Sequence, residues 1–116
     1  MSISKLKSLW TKAIIEKNIK AITKLYAQNA ILKGTMAKRS VRGRKDIDKY
    51  FQKFAPIVID VKFEKDNLKV KKDNFVTEIG TYVFTTSEGR LTAQYNIVYC
   101  LEGEVKILSH FSNIFC

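Results

Sequence analysis

His110 is the only histidine of this 116-residue chain, and its imidazole is the side chain best suited to exchange a proton near neutral pH. Two interpretations stay open: His110 is a general base or ligand-binding residue, or it is a hydrogen-bonded structural residue of a strand. Glu78 is the only acidic residue inside a long strand pattern, so it is the carboxylate whose burial would matter most. One histidine without a Cys-x-x-Cys pair builds no ordinary zinc site, and we expect neither a metal nor a cofactor.

Polar side chains near the end of the chain predict a second group of candidates. A three-residue turn at residues 102–104 would pair Asn96 with His110 and Gln94 with Ser112. A two-residue turn would shift this register by one and place His110 beside an aromatic residue instead. We favour the first register because it groups polar side chains together. Amides buried without partners are costly, so this group indicates a wet cavity; a solvent-exposed sheet face is the alternative.

Four aromatic side chains and one arginine are further candidates for a ligand pocket. Trp10 could roof a pocket from the first helix, and the hydroxyls of Tyr26, Tyr50 and Tyr82 could reach into it. Core packing is the alternative for Trp10, and packing with the hydroxyl at the rim is the alternative for the tyrosines. Arg42 is either an anion contact at the rim or an ordinary residue of a helix entry, and the sequence does not separate the two.

The composition is that of one folded domain spanning residues 1–116. Hydrophobic residues make up 46% and charged residues 28% of the chain, which excludes a disordered chain, and the length suits a single core. No apolar run is long enough for a membrane span, and the first five residues lack the apolar segment of a signal peptide. Cys100 and Cys116 follow no spacing motif, which is typical of reduced thiols, so we expect a cytoplasmic protein.

The net charge of +10 raises nucleic acid as a partner. Most lysines, however, stand singly at alternating or helical spacing, which is typical of a solvated face. The one concentration is residues 38–45 (KRSVRGRK), in front of a predicted helix whose main-chain N–H groups favour an anion. A solvated loop is the favoured interpretation, an anion-attracting rim comes second, and nucleic-acid binding is the least favoured.

Three short helices are predicted in the first half of the chain. The first is capped by Ser4 and carries one apolar stripe at helical spacing, made by Leu6, Leu9, Trp10, Ala13 and Ile14. The second starts at residue 19, runs through Tyr26 and ends near residues 28–29. The third starts within residues 43–46 and is stopped by Pro56, whose ring cannot continue a helix.

From residue 57 onward the pattern is a run of strands joined by short turns. In the first strand Ile57, Ile59, Val61 and Phe63 alternate with Val58, Asp60 and Lys62. Further strands are predicted over residues 68–71, 75–85, 91–101 and 105–113. Helices followed by such strands predict an α+β fold: a cone-like roll of a strongly curved antiparallel or mixed sheet, with three N-terminal helices closing one side.

Several segments resemble the nuclear transport factor 2-like superfamily, over nearly the whole chain. Residues 25–30 (LYAQNA) are similar to its helix-ending "LYA-x-DA", and residues 41–54 (VRGRKDIDKYFQKF) to its "R-x-G-x-x-x-I-x-x-YF-x-x-F" helix. Residues 80–84, 93–99 and 106–113 complete the match. The set is most similar to the bacterial branch related to the association domain of calcium/calmodulin-dependent kinase II and to polyketide cyclase-like (SnoaL-like) proteins.

The chain departs from that branch at two places. The branch typically reads "HHSS" in the last strand, where this chain reads HFSN at residues 110–113. It typically reads "ARYTFVY" in the strand before, where Gln94 replaces the arginine. One imidazole and one pocket cation of the relatives are therefore missing, which weakens an isomerase interpretation.

The resemblance also implies which face of the sheet looks into the cone. In the family the arginine-bearing face looks inward, so the polar inner wall would be lined by Gln94, Asn96, His110 and Ser112. The opposite, outer face would carry Tyr95, Ile97 and Tyr99. An apolar outer face implies a partner, most simply a second copy of the chain.

The resemblance is to a scaffold that hosts isomerases, cyclases, dehydratases, transport factors and assembly domains. We predict a small-molecule-binding homodimer of undefined activity, with a pocket suited to an anionic or carbonyl-bearing ligand. Enzyme activity stays open; if present, it would be acid–base chemistry without a metal. A non-catalytic assembly domain is the alternative. A roomy cavity with convergent polar groups would favour ligand binding, and an interior filled by Trp10, Tyr26 and Phe54 would favour assembly.

Overall fold

The computed structural model describes residues 1–115, which form three α-helices and seven strands around one core; Cys116 lies outside the described residues. The helices are α1 (Ile3–Ile15), α2 (Ile19–Lys24) and α3 (Arg44–Phe54), the last followed by a 3₁₀ turn at Ala55–Ile57. The strands are β1 (Tyr26–Lys33), β2 (Val41–Arg42), β3 (Val58–Phe63), β4 (Leu68–Lys72), β5 (Phe75–Thr86), β6 (Gly89–Cys100) and β7 (Lys106–Ile114).

The strands form one curved mixed sheet in the order β2-β1-β7-β6-β5-β3. The two ends of the long strand β5 pair with different partners, β3 along Tyr82–Thr86 and β4 along Phe75–Ile79. All pairs are antiparallel except β1 with β7, which is parallel. The helices all precede Val58 and lie against the concave side, so the predicted α+β cone is confirmed.

A β-bulge in β7 changes which residues of β6 pair with the end of β7. The pairing of Cys100 with Lys106 is the register predicted from a three-residue turn. Leu108 is then skipped, because Tyr99 pairs with Ile107 and Val98 with Ser109. One extra residue moves every later side chain of the strand to the other face. His110 consequently pairs with Ile97 and not with Asn96.

The predicted outer face of β6 is therefore its inner face. Tyr95 and Tyr99 are fully buried and Ile97 is 3% exposed, whereas Gln94 and Asn96 are exposed. The assignment of Tyr95, Ile97 and Tyr99 to the outer, partner-binding face was wrong, as was the assignment of Gln94 and Asn96 to the inner wall.

Other boundaries also differ from the prediction. The second helix ends at Lys24, and Tyr26 already lies in β1, where it pairs with Ile107. The N-cap of α1 is Ser2, whose side chain accepts from the N–H of Lys5. A second bulge, between Val58 and Asp60, places Val58 in the core and leaves Ile59 59% exposed.

The helices of residues 1–115 are too short to cross a bilayer. The longest, α1, has 13 residues, against about 20 for a membrane-spanning helix.

Candidate functional site

The interior of the cone holds the histidine and the serine of β7. His110 is 2% exposed and Ser112 is fully buried, because the bulge turns both inward. Tyr26 of β1 and Tyr82 of β5 face them and are also fully buried. Trp10 of α1 closes the group from the helical side, with its ring stacked on that of Tyr82 at 6.1 Å between centroids.

A continuous chain of hydrogen bonds joins these five side chains. Nε1 of Trp10 donates to Oη of Tyr26 over 3.1 Å, and Oη of Tyr26 lies 2.8 Å from Nδ1 of His110. Nε2 of His110 lies 2.9 Å from Oη of Tyr82, which in turn donates to Oγ of Ser112 over 2.6 Å. Both nitrogens of the imidazole are thus partnered inside the protein.

The hydrogen bonds at the two ends of this network determine which group donates in each of its other bonds. The indole N–H of Trp10 can only donate, so Oη of Tyr26 accepts from it and gives its own proton to Nδ1 of His110. Because Tyr82 donates to Ser112, its oxygen accepts from Nε2 of His110. The network therefore assigns His110 as the neutral tautomer with its proton on Nε2.

Burial keeps the side chains of this hydrogen-bonded network uncharged. It lowers the pKa of His110 to about 3, because the packed interior disfavours the imidazolium. It also raises the pKa of Tyr26 and of Tyr82 well above the ordinary value. At neutral pH His110 is consequently an uncharged residue that bridges the hydroxyls of Tyr26 and Tyr82 by hydrogen bonds. Its low pKa makes it a poor general base.

The hydrogen-bonded chain ends under the segment that follows β1. Oγ1 of Thr35, a buried residue, lies 2.7 Å from Oγ of Ser112. Tyr50 of α3 covers this segment: its hydroxyl accepts from the main-chain N–H of Met36 over 3.3 Å, and burial raises its pKa to about 12. Gly34 permits the cover, because a Cβ there would lie 2.0 Å from Cζ of Tyr50. Tyr50 thus separates the polar interior from the surface.

Glu78 forms a second polar centre in the interior. Its carboxylate is fully buried. Oε2 accepts from Nζ of Lys7 over 2.7 Å and from the hydroxyl of Tyr95 over 2.8 Å. Oε1 accepts from the hydroxyl of Tyr99 over 2.7 Å. The ammonium of Lys7 also lies 4.5 Å above the centre of the Phe63 ring.

The hydrogen-bond partners of Glu78 stabilise the charged form of its carboxylate. Burial is the largest single influence and raises the pKa of Glu78, but the bonds from Lys7, Tyr99 and Tyr95 together outweigh it and lower the net pKa. Burial raises the pKa of both tyrosines, so they stay donors. Gly80 leaves room for this geometry, because a Cβ there would lie 2.5 Å from the hydroxyl oxygen of Tyr95.

Sequence comparison places the chain in a known family. The sequence profile of the SnoaL-like domain matches residues 8–110, which is most of the chain. The chain belongs to the SnoaL-like domain family. Among curated proteins, none matches this SnoaL-like domain significantly.

Solved structures share the fold of this SnoaL-like domain. A Xanthomonas campestris protein described as a calcium/calmodulin-dependent protein kinase II association domain superposes with a TM-score of 0.83 at 24% identity, covering 97% of this chain and 85% of that chain. An NTF2-like protein of unknown function from Pseudomonas putida gives 0.79 at 11%, covering 96% and 82%. A Streptomyces avermitilis protein described as a dehydratase of the NTF2-like family gives 0.76 at 10%, covering 98% and 94%. The predicted superfamily is therefore confirmed.

The predicted site residues separate into two groups in this SnoaL-like domain. The structure brings together inside the cone Trp10, Tyr26, Tyr82, His110 and Ser112, with Tyr50 as their cover. Gln94 and Asn96 lie outside, beside Phe111. Arg42 is exposed, and its guanidinium donates to the main-chain oxygen of Asn29 over 3.3 Å, which corresponds to the helix-entry interpretation.

Aromatic rings fill the space in which a ligand would lie. Trp10 contacts Phe51, Phe84 and His110 at 5.9–6.4 Å between ring centroids, in addition to its stacking on Tyr82. Within residues 1–115, every buried side-chain nitrogen or oxygen has a hydrogen-bond partner. The polar groups that converge in the cone are thus satisfied by one another.

Four residues of these two centres were not among the candidates: Thr35, Lys7, Tyr95 and Tyr99. The sequence signal for Tyr95 and Tyr99 was the carboxylate of Glu78 in a strand whose alternate residues are apolar. Such a carboxylate must find donors when buried, and two tyrosines on the same face of the next strand can supply them. Lys7 carried no such signal, because it lies beside the apolar stripe of α1 and reads as a solvated residue.

Proposed function

We propose that this SnoaL-like domain is a homodimeric assembly domain whose packed interior is structural. The observation that carries the proposal is the filled cone: Trp10, Tyr26 and Phe54 are each at most 3% exposed. The polar groups of the interior are mutually hydrogen-bonded, and the imidazole has a pKa of about 3. Acid–base catalysis of the isomerase or dehydratase kind would need a free base in that space. The proposal includes a cytoplasmic location, which rests on cysteine usage alone.

The outer face of the three central strands supports self-association. The middle of this face carries no charged residue, in a chain in which 28% of residues are charged; its residues are Ile79, Thr81, Val83, Gln94, Asn96, Val98, Ser109, Phe111 and Asn113. Charged residues flank this central face: Lys33 of β1, Lys62 of β3 and Arg90 near the start of β6. Depletion of charge at the centre with a polar rim is the anatomy of a protein interface.

The chemistry of the central face suits a second copy of the same chain. A twofold interface must be complementary to itself, and a side-chain amide, which both donates and accepts, can pair with its own copy. Gln94 and Asn96 supply such amides, and Phe111, 38% exposed, supplies an apolar contact between them. The Xanthomonas campestris relative, described as an association domain, has the same fold.

Sedimentation equilibrium of the wild type and two variants tests the proposal. We expect the wild type to have twice the 13.3 kDa chain mass and Phe111→Glu to have the mass of one chain, because a carboxylate at the centre of the face is buried against its own copy. Ile15→Glu is the matched control, since Ile15 is also 38% exposed but lies on α1; it should stay dimeric. A monomeric wild type, or a Phe111→Glu variant as dimeric as the control, contradicts the proposal.

Small-molecule binding is the second candidate, at a surface groove of about 320 Å³. The groove is lined by Met36, Ala37, Tyr50, Lys53, Phe54 and Ile57. Apolar walls with one lysine suit an anionic ligand with an apolar body, and the size falls within the range of ligand sites.

Thermal unfolding with straight-chain carboxylates of six to ten carbons tests this candidate. A ligand at about 100 times its dissociation constant adds about 2.7 kcal/mol to the free energy of unfolding. We expect the stabilisation to weaken in Lys53→Gln and to be unchanged in Lys49→Gln, an exposed lysine of the same helix. Equal stabilisation of both variants, or none of the wild type, excludes this groove as a site for such ligands.

A further inference from the structure

The ammonium of Lys7 lies in a cluster of contacts typical of a bound amine. It donates to Oε2 of Glu78 over 2.7 Å, and it lies 4.5 Å from the centre of the Phe63 ring and 5.9 Å from that of Tyr95. A carboxylate together with aromatic faces is the standard environment for recognising a cation. The cluster of Glu78, Tyr95, Tyr99 and Phe63, here called the ammonium site, thus holds a lysine side chain of its own chain.

The ammonium site is built from the sheet and does not need Lys7 for its shape. Both oxygens of Glu78 are oriented by tyrosine hydroxyls, Oε1 by Tyr99 and Oε2 by Tyr95. Glu78, Tyr95 and Tyr99 are all fully buried. Lys7 comes from a different element, the helix α1, and reaches solvent with 16% of its side chain exposed.

A groove of about 620 Å³ leads to this site from outside. Lys7 and Phe63 form its inner wall, and the hydroxyls of Ser4, Ser8 and Thr11 are also part of its lining. Its volume is in the range of small-molecule sites. If the side chain of Lys7 rotates into the groove, a ligand in the groove meets the carboxylate of Glu78.

We propose that the ammonium site binds a free primary alkylamine, and that Lys7 occupies it in the ligand-free protein. A primary ammonium matches the site because it donates to Oε2 of Glu78 while its methylene chain lies along Phe63 and out into the groove. A quaternary ammonium cannot donate that hydrogen bond, and an alcohol carries no charge. The site is distinct from the dimer face and from the groove beside Tyr50.

The first experiment uses Lys7→Met, which keeps an unbranched stem and removes the ammonium. We expect n-butylammonium chloride to raise the melting temperature of this variant by several degrees, and to do so saturably. n-Butanol and tetramethylammonium chloride at the same concentrations should not. If the variant is unfolded, butylammonium alone among the three should restore its folding. An equal response to all three compounds, or none to butylammonium, overturns the proposal.

Two further measurements locate the effect. The variant Lys7→Met/Glu78→Gln leaves no buried charge behind, so we expect it to fold and to show at least tenfold weaker butylammonium affinity. In the wild type, the side-chain ¹⁵N–¹H signal of the Lys7 ammonium should be lost on titration with butylammonium, as solvent exchange replaces the bond to Glu78. A double variant that keeps the response, or a Lys7 signal unmoved at saturating amine, contradicts a site at Glu78.

Discussion

Individual hydrogen bonds decide what His110 can do. Each nitrogen of its ring meets a phenol whose own orientation is set by a further partner, Trp10 on one side and Ser112 on the other. A second proton on the ring would put the N–H at Nδ1 against the O–H of Tyr26, so that two donors would face each other. Burial and this conflict both favour the neutral ring, so protonation of His110 destabilises the fold.

The pH dependence of stability tests the state of His110. A histidine has a pKa near 6.5 when unfolded and about 3 here, so the unfolded chain binds the extra proton between these values. Its contribution to stability is complete above about pH 6.5 and is lost progressively as the pH falls toward about 3. Between pH 7 and pH 5 the free energy of unfolding should fall by about 2 kcal/mol from this residue. Urea unfolding across this range measures the loss.

The variant His110→Asn is the control for that measurement. An asparagine side chain does not titrate. The fall in the free energy of unfolding between pH 7 and pH 5 should therefore be about 2 kcal/mol smaller in this variant than in the wild type. Glu78 does not interfere, because its pKa is lowered and its stabilisation is lost only at pH values below the ordinary carboxyl range. Equal slopes for wild type and variant would mean that His110 takes up its proton while folded.

Single extra residues in two strands decide which side chains enter the cone. Leu108 is the extra residue of β7, and a second irregularity between Val58 and Asp60 does the same in β3. In a regular strand side chains alternate strictly, so His110 would share a face with Leu108. The bulge instead places His110 on the face of Ile107, inside the cone.

Changes of length in β7 test the role of the bulge. Deleting Leu108 removes the extra residue and leaves each remaining pair intact, so His110 still faces inward. We expect this variant to fold cooperatively, with a loss of about 1–3 kcal/mol for the half-buried leucine. Inserting an alanine between Ser109 and His110 moves His110 and Ser112 outward and should abolish the cooperative transition. Near-UV circular dichroism during urea unfolding distinguishes the two, and equal stability of both variants would contradict the bulge's role.

Few of the charged side chains in the described residues form ion pairs. Within residues 1–115 the structure has two ion pairs, Lys7 with Glu78 and Lys106 with Glu104. In the basic segment 38–45, Arg44 donates to the main-chain oxygen of Tyr26 over 2.9 Å, which ties the start of α3 to β1. A net charge of +10 with few attractive pairs implies mutual repulsion across the surface.

Salt should therefore stabilise this protein. Raising sodium chloride from 20 to 200 mM shortens the screening length from about 20 Å to about 7 Å, so we expect the melting temperature to rise by a few degrees. The variant Lys38→Glu/Arg39→Glu changes two exposed residues and lowers the formal charge from +10 to +6, so its rise should be smaller. A melting temperature that falls with salt would instead indicate that attractive pairs dominate.

The elements could be read from the sequence, but the membership of the two polar centres could not. The strand limits of β4 to β7 were predicted within about two residues, and the start of α3 and its stop before Pro56 were predicted correctly. His110, Ser112, Trp10 and Tyr82 were also singled out, and the structure brings them together inside the cone. Gln94 and Asn96 were placed on the wrong face, because the predicted pairing of β6 with β7 was continued past the bulge in β7. No residue type in the sequence indicates that bulge.

The sequence by itself determined the order of helices and strands and the curved α+β cone, because apolar periodicity and turn residues act locally, and its motifs carried the resemblance to the family. Only the tertiary structure decided which face of β6 is buried, that aromatic rings fill the cone, and that Lys7 meets Glu78 across 71 positions of the chain. These outcomes depend on register and on packing between elements distant in sequence. A shift of one residue reverses them while leaving the local pattern almost unchanged.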